Sequence, residues 1–279
     1  MALDLIRKTL TLEFSEQQIQ RYARHILLDQ IGGTGQASLI NSKVLVVGAG
    51  GLGSPVILYL AAAGVGTIGV IDDDLVDLSN LQRQILHTTR SIGTAKVLSA
   101  KKTIYEINPE IKLLPIQDRI RPDNAMDLIA PYDIIADGCD NFETRFLVND
   151  ACYFSHKTLV SAAIQRFYGQ IYTFKPHKKD ANGNQLPCYR CLFPEAPPLG
   201  QIPTCAESGV LGALCGTVGS LQTTEILKEL LGIGESLAGS LIIYEGLSSE
   251  FRKITVKADP FCPLCGANPK IMDLSSHVK

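Results

Sequence analysis

The stretch Val44-Leu-Val-Val-Gly48-Ala-Gly50-Gly51-Leu-Gly53 decides the fold of this chain. A short aliphatic run, typical of a buried strand, leads without a gap into the pattern G-x-G-x-x-G. Glycines at these positions permit a tight turn and allow the backbone to approach a phosphate at the N-terminus of the next helix. The stretch therefore predicts a strand, a phosphate-binding turn and a helix. Its candidate nucleotide-binding residues are Gly48, Gly50, Gly51 and Gly53.

Strand and helix patterns alternate through the first part of the chain. Short β-rich runs are followed by segments with apolar residues at helical spacing. Such alternation is typical of an open, mostly parallel, doubly wound sheet with helices on both faces. We therefore predict a Rossmann-like α/β fold. The predicted strands are 43–47, 67–71, 112–115, 133–136 and 158–163, and the predicted helices are 52–63, 94–107, 123–129 and 142–155.

The two ends of the chain follow other patterns. Ser15 is a candidate N-cap for an amphipathic helix over 15–29. Residues 169–175 alternate like an antiparallel strand. We expect the C-terminal part to extend the same sheet with antiparallel strands. Its further predicted elements are a helix over 210–231 and strands over 241–244 and 251–256.

Composition limits the classes of function. The 46% hydrophobic and 19% charged residues and the net charge of −2 are ordinary for a globular protein and give no support for a nucleic-acid partner. Residues 44–71 carry no charge and are long enough to span a bilayer, but their glycines and Pro55 fit a buried strand, turn, helix and strand better. The N-terminus lacks the apolar core of a signal peptide. We expect a cytoplasmic protein that does not bind a membrane.

Charged side chains follow the predicted strands at their carboxyl ends. Asp72 comes nineteen residues after Gly53, where an acid binds ribose hydroxyls, and this pattern alone also fits NAD. Arg83 and Lys96 add positive charge that suits phosphate oxygens, and Asp140 is a candidate Mg²⁺ ligand or catalytic carboxylate. A triphosphate needs this set and a dehydrogenase does not. The sequence therefore favours ATP with Mg²⁺ over NAD.

Two C-x-x-C pairs lie roughly seventy residues apart, and each has the spacing of zinc ligands. Four thiolates would complete a closed tetrahedral site. Two redox disulfides or an iron–sulfur cluster are the alternatives. The candidate ligands are Cys188, Cys191, Cys262 and Cys265.

The other candidate thiol and the histidines carry less information. Cys205 follows a Pro-rich segment and precedes a predicted helix, whose N-terminus would lower the pKa of a thiol. It is a candidate nucleophile, and an inert thiol is the alternative. The five histidines have neither metal nor triad spacing, and we assign them no function.

Several motifs together resemble the bacterial E1-like adenylyltransferases. They are Gly48-x-Gly-Gly-Leu-Gly53, Asp72-x-Asp-x-Val-x-x-Ser-Asn-Leu-Gln-Arg-Gln84, Gly93-x-x-Lys96 and Asp137-x-x-Asp140-Asn141. The resemblance covers about residues 15–266. Enzymes of this family, which includes HesA-type proteins, activate the sulfur-carrier subunit of molybdopterin synthase or the thiamin-pathway sulfur carrier.

The resemblance implies a reaction and a set of site residues. The C-terminal glycine carboxylate of a ubiquitin-like carrier that ends in Gly-Gly would attack the α-phosphate of ATP, and pyrophosphate would leave. Arg24 would reach the phosphates bound by a neighbouring subunit, which implies a homodimer. At the nucleotide, Asp72 would bind ribose, Arg83 and Lys96 the phosphates, and Asp140 Mg²⁺, with Asp74 and Asn80 beside them.

The resemblance also implies roles for the cysteines and an arrangement of the chain. The four paired cysteines would hold a structural zinc ion, and Cys205 would correspond to a cysteine that forms a thioester in some relatives. Because the chain ends soon after Cys265, we expect a separate sulfurtransferase to supply sulfur. We expect one adenylation domain over 1–279, with N-terminal helices at 15–41, a nucleotide-binding half at 43–165, a carrier-binding and zinc half at 166–266, and a tail at 267–279.

Two other classes of function compete with this reading. A nicotinamide or flavin oxidoreductase is supported only by the glycine pattern and Asp72. A non-catalytic scaffold would have lost its phosphate contacts, yet Arg83, Lys96 and Asp140 are all present. We therefore expect adenylation of a sulfur carrier. The first candidate is the small subunit of molybdopterin synthase, and the alternative is the thiamin-pathway carrier.

Overall fold

The computed structural model describes residues 14–198 and 208–278. Within them, eight strands belong to one sheet: β1 (Lys43–Val47), β2 (Thr67–Ile71), β3 (Lys112–Ile116), β4 (Ile134–Asp137), β5 (Thr158–Gln165), β6 (Tyr168–Phe174), β7 (Ser240–Glu245) and β8 (Glu250–Thr255). Their order is β3-β2-β1-β4-β5-β6-β7-β8. The pairs from β3 to β5 are parallel and those from β5 to β8 are antiparallel. This sheet confirms the predicted fold class and its antiparallel extension.

Helices cover both faces of the parallel strands. The α-helices of the described residues are α1 (Glu16–Ile26), α2 (Gly32–Asn41), α3 (Gly53–Ala63), α4 (Lys96–Ile107), α5 (Ala125–Ile129), α6 (Phe142–Phe154), α7 (Tyr189–Leu192) and α8 (Gly212–Leu231). Val44 and Val46 face a core that includes residues of α3 and α4, whereas Leu45 faces a core that includes residues of α5 and α6. Because successive side chains point to opposite faces, β1 is buried on both sides, which explains its uninterrupted aliphatic sequence.

The order of the strands along the sheet reverses at β1, and we call this place the switch point. β1 lies between β2 and β4, so the connections that leave it run to opposite sides of the sheet. Val47 pairs with Ile71 on one side and with Asp137 on the other. The segments that follow these three strands therefore begin at one edge, where open α/β sheets bind ligands.

Most element boundaries agree with the predictions to within two residues. Ser15 caps α1 with a capping box to Gln18, as its position predicts. α4 begins at Lys96 rather than at Thr94, because the preceding residues pair with the loop after β2: the Thr94 carbonyl accepts a hydrogen bond from the Val76 N–H at 2.9 Å. Within the described residues, no helix is both long and apolar enough to cross a membrane.

Candidate functional site

The glycine turn between β1 and α3 is closely packed. Gly48 adopts a φ of +95°, in the left-handed region that favours glycine. A Cβ atom at Gly53 would overlap the carbonyl oxygen of Gly48. Across the switch point, a Cβ atom at Gly138 would lie 3.1 Å from the Gly53 nitrogen. The turn after β1 and the loop after β4 are therefore in contact, as the strand order requires.

Asp72 connects the glycine turn to the loop after β2. Its Oδ2 accepts a hydrogen bond from the Ala49 N–H at 2.8 Å, and its Oδ1 accepts one from the Asp74 N–H at 2.9 Å. Burial raises the pKa of Asp72, and the nearby Lys96 ammonium and these two N–H groups oppose that shift. A carboxylate oxygen has two lone-pair sites, so each oxygen can accept a further bond from a ligand hydroxyl.

Lys96 is the first residue of α4, and only 5% of its side chain is exposed. Its ammonium lies 2.7 Å from Asp74 Oδ2 and 4.0 Å from Asp72 Oδ1. A buried ammonium needs such partners because desolvation of an isolated charge is costly. The Asp74 side chain is 63% exposed, so a bound anion can compete with it for Lys96.

Two further predicted residues lie in the segment after Asp74. The aliphatic part of the half-buried Arg83 side chain packs on the glycine turn: its Cγ would be 3.6 Å from a Cβ atom at Gly51. Its Nη1 donates to the Ser79 carbonyl at 3.2 Å. The Asn80 carbonyl accepts hydrogen bonds from the N–H groups of Arg83 and Gln84. Asn80 thus shapes the loop that holds Arg83 beside the turn.

Two aspartates lie in opposite environments, one at the end of β4 and one in the loop that follows it. Asp137 is buried and accepts hydrogen bonds from the Cys139 N–H at 3.0 Å and the Ser161 hydroxyl at 2.6 Å. Asp140 is exposed and has neither a hydrogen bond nor an ion pair with the described part of the chain. Asn141, next to it, accepts from the Thr144 N–H at 2.8 Å and caps α6. Asp140 is therefore the carboxylate that is open to a cation.

Arg145 contacts this loop through hydrogen bonds and an ion pair. The sequence does not predict this role. Its Nη2 donates to the carbonyls of Cys139 and Ala162, both at 2.9 Å, and its Nε lies 3.5 Å from Asp137. Burial lowers the pKa of Arg145, but the Asp137 carboxylate together with the neighbouring Cys139, Tyr189 and Tyr172 side chains outweighs this and raises the pKa overall. A helical arginine followed by apolar residues gives no sequence signal of burial, so only the fold reveals this contact.

Arg24 lies far from the glycine turn of its own chain. Its neighbour His25 contacts Gln36, and Gln36 donates to the Ala63 carbonyl at the C-terminal end of α3. The glycine turn is at the other end of α3, about 15 Å away at 1.5 Å per helical residue. The structure therefore brings the predicted nucleotide-binding residues to one edge of the sheet and leaves Arg24, which is exposed, at the opposite edge.

The two cysteine pairs meet in space. The Sγ–Sγ distances are 3.9 Å for Cys188–Cys191, 3.6 Å for Cys188–Cys262 and 3.4 Å for Cys191–Cys265. A tetrahedral zinc ion with Zn–S bonds of about 2.3 Å requires Sγ–Sγ distances of about 3.8 Å. All four sulfurs lie within 4.8 Å of one another. The geometry and the donor set therefore fit zinc.

The remaining cysteines do not form a reactive site in the part of the chain that is described. Cys205 lies outside the described residues. Cys139, Cys152 and Cys215 are buried. Burial raises the pKa of Cys139 and Cys152 well above the usual value, as expected of packing residues.

Comparisons with known proteins show the family of this chain. Residues 22–264 match the model of the ThiF family. A sulfur carrier protein adenylyltransferase from Thermus thermophilus is 47% identical over 266 residues, which are 95% of this chain and 97% of that protein. A probable adenylyltransferase/sulfurtransferase MoeZ from Mycobacterium tuberculosis is 47% identical over 94% of this chain and 65% of its own length. The crystal structure of E. coli MccB with succinimide has a TM-score of 0.76 at 21% identity, over 91% of this chain and 75% of that chain, a likeness of fold.

Proposed function

This chain belongs to the ThiF family and is an E1-like adenylyltransferase, and from this premise we propose that it adenylates the C-terminal glycine carboxylate of a ubiquitin-like sulfur-carrier protein. The observation that carries the proposal is the meeting, at one edge of the sheet, of the glycine turn, the Asp72–Lys96 pair and the open Asp140. The relative from Thermus thermophilus, matched over 97% of its length, is named a sulfur carrier protein adenylyltransferase, which supports the proposal.

The proposed site residues neutralise and position charge. Asp72 binds the ribose hydroxyls, while Arg83, Lys96 and the N–H groups of the glycine turn bind the phosphates. Asp140 holds Mg²⁺, which neutralises phosphate charge when it is bound. Asp74 and Asn80 complete the nucleotide site by holding Lys96 and the Arg83 loop.

The chemistry requires no general base. An oxygen of the carrier carboxylate, already a nucleophile, forms a bond to the α-phosphorus while the bond from that phosphorus to the bridging oxygen breaks. Pyrophosphate leaves with the bonding electrons, and the product is an acyl adenylate. Repulsion between the carboxylate and the triphosphate opposes this attack, so fixed cations and alignment lower the barrier.

An exposed apolar surface at the same edge supports carrier binding by the 166–266 half. β5 continues for four residues beyond Ser161, which pairs with Asp137, so it extends about 13 Å past the end of β4. Tyr244 and Phe251 stack at 4.4 Å on the neighbouring strands at this level, and Phe251 is 55% exposed. Exposed aromatic surface of this kind marks protein interfaces. We assign it to the carrier.

We further propose a cytoplasmic homodimer and a separate sulfurtransferase. Because Arg24 is at the opposite edge of its own sheet, it would act on the nucleotide of a second copy. Leu27 and Leu28, which follow it, are exposed and would form part of that contact. A sulfurtransferase that acts with this chain is supported by the name of MoeZ, which includes this activity.

The carrier and the metals belong to the same proposal. The first candidate carrier is the small subunit of molybdopterin synthase and the second is the thiamin-pathway carrier, because the sequence motifs are similar in the enzymes for both. The four paired cysteines hold a structural zinc ion. Cys205 is a candidate thioester cysteine, which adenylation itself does not need.

The test is ATP–pyrophosphate exchange with purified protein, Mg²⁺ and each candidate carrier. We expect exchange that depends on one carrier and disappears when its terminal glycine is removed. The truncated carrier is the matched control, because it keeps the docking surface but displaces the reacting carboxylate. Failure of both carriers to support exchange by folded, zinc-loaded protein would refute the proposed substrates. Absorbance of a tightly bound flavin or reduced nicotinamide would instead favour an oxidoreductase.

A further inference from the structure

His87 is a buried side chain behind the glycine turn, with 5% of the residue exposed. Its Nε2 lies 2.9 Å from the carbonyl oxygen of Ala49, the residue between Gly48 and Gly50. Its Nδ1 lies 3.0 Å from the Ser99 hydroxyl on α4. Both ring nitrogens are therefore used, and the ring touches the centre of the turn.

The partners determine the state of the imidazole. A carbonyl oxygen can only accept, so Nε2 carries the proton and donates to Ala49. In the neutral ring, Nδ1 then accepts from the Ser99 hydroxyl. Burial lowers the pKa of His87, which agrees with a neutral ring. Because neither nitrogen faces solvent, this histidine is not placed to exchange protons with a substrate.

The hydrogen bond to Ala49 sets the direction of the next N–H group. In a planar trans peptide the C=O and the following N–H point in opposite directions. With its carbonyl held inward by His87, the Ala49–Gly50 peptide directs the Gly50 N–H outward. The Ala49 N–H is already bound to Asp72. Across 14–198 and 208–278, no acceptor is found for the N–H groups of residues 50–53, so these N–H groups are the donors that the turn can offer to a phosphate.

The same contacts connect the turn to Lys96. Ser99 and Lys96 lie on α4, three residues apart, and Thr103 on that helix donates to the Leu86 carbonyl at 2.9 Å. The segment that contains His87 is therefore attached to α4 at two positions one turn apart. Through it, the helix that carries Lys96 also holds the Ala49 carbonyl.

We propose that His87 is a positioning residue that orients the N–H groups of the glycine turn, in register with Lys96, toward the triphosphate of ATP. This inference rests on the proposed function, since it assigns a phosphate ligand to the turn. His87 acts through Ala49 and does not touch the substrate. His87 therefore contributes to the binding of the phosphates and not to the binding of the adenine or the ribose.

The test compares His87→Leu, which removes the donor, with His87→Gln, whose amide nitrogen can replace Nε2. Binding of ATP and of adenosine is measured by calorimetry, together with the KM for ATP and kcat in pyrophosphate exchange. We expect His87→Leu to weaken ATP binding about tenfold, the effect of one lost hydrogen bond to the phosphates, and to leave adenosine binding within twofold. His87→Gln should restore most of the ATP affinity.

The control is His277→Leu, which removes a hydrogen bond to Asp150 remote from the turn and should lower the melting temperature without changing the KM for ATP. Equal losses of ATP and adenosine affinity in His87→Leu, or no loss of either, would overturn the proposal. If His87→Leu does not fold, ¹⁵N NMR of the wild-type imidazole tests the proposal instead. A proton on Nδ1 and not on Nε2 would refute the proposal, because Nε2 could then not donate to the Ala49 carbonyl. Wild-type protein that binds no ATP would refute the proposed function itself.

Discussion

At the residue scale, burial separates two aspartates that look equivalent in the sequence. Asp137 accepts hydrogen bonds from Ser161 and from a backbone N–H group, and it forms an ion pair with Arg145. These contacts hold the loop that follows it. Asp140, three residues later, faces solvent at the same edge as Lys96. The first carboxylate therefore supports the site, and the second is available for Mg²⁺.

Substitution of each aspartate by asparagine should separate these roles. Asp140→Asn should lower pyrophosphate exchange about a hundredfold and leave the melting temperature unchanged, because an exposed carboxylate that neutralises charge is lost. Asp137→Asn should destabilise the fold by about 3 kcal/mol, because it leaves the buried Arg145 without its counter-charge. Exchange kinetics and thermal melts of both variants check this. Near-normal exchange by Asp140→Asn would remove Asp140 from the active site.

At the element scale, one face of α6 joins the nucleotide edge to the cysteine cluster. Asn141, Arg145 and Asn149 recur every four residues and so share a face. Asn141 caps the helix beside Asp140, Arg145 holds the loop after β4, and Asn149 accepts from the Tyr189 N–H at 2.9 Å. Tyr189 follows a cysteine of the cluster. Two distant parts of the fold are thus built on a single helix.

The next residue of α6, Asp150, should make stability depend on pH in acid. Burial would raise the pKa of Asp150, but hydrogen bonds from His277 and Arg190 outweigh it and hold the pKa below 3.8. A lowered carboxyl pKa stabilises the fold above the unfolded value of about 3.8, and this stabilisation is lost as the pH falls through the folded value. Asp150→Asn should remove that component.

Urea unfolding between pH 6 and pH 3 measures this effect. The free energy of unfolding should fall more steeply below about pH 4 in the wild type than in Asp150→Asn, because only the wild type must protonate a paired carboxylate. At pH 6 the variant should be the less stable of the two, since it breaks a buried pair. Parallel pH profiles for the two proteins would show that Asp150 does not titrate in this way.

The cysteine cluster should stabilise the fold without taking part in catalysis. Cys262→Ser should lower the zinc content from one ion per chain and reduce the melting temperature, because the cluster attaches the segment after β8 to α7. Exchange measured well below the melting temperature should stay within about threefold of the wild type, since the cluster is separate from the glycine turn. Metal analysis and melts provide the readouts. Cys152→Ser is the matched control at a buried cysteine outside the cluster.

At the scale of the whole molecule, one sheet has edges with different roles. The carboxyl edge of the parallel strands holds the glycine turn and Asp140, and the antiparallel extension continues it with exposed aromatic residues. Arg24 projects from the opposite edge. A site that uses Arg24 must therefore combine two copies of the chain.

Mixing Arg24→Ala with Asp140→Ala chains tests this requirement. Each variant alone should be almost inactive, whereas a heterodimer contains one site with both native residues. Random exchange at equal concentrations should restore about a quarter of wild-type activity, because half of the dimers are mixed and half of their sites are intact. Native mass spectrometry confirms exchange. Mixed dimers without activity would contradict an arginine supplied across the interface.

The sequence by itself determined the features that depend only on the spacing of residues along the chain. The strand and helix around the glycine pattern, the alternation of strands and helices and the N-cap at Ser15 are local features, and the structure confirms each of them. The paired cysteines also predicted their cluster, since C-x-x-C spacing selects few geometries.

Only the tertiary structure decided which distant residues are partners. His87 reaches Ala49 across 38 residues, and Arg145 reaches Ala162 on the next strand, contacts to which no periodicity points. It also decided that Asp137 is buried while Asp140 is open, and that Arg24 lies at the far edge. The physical reason is that periodicity reports which face of an element is apolar, whereas a partner depends on strand order and register, which long-range packing selects.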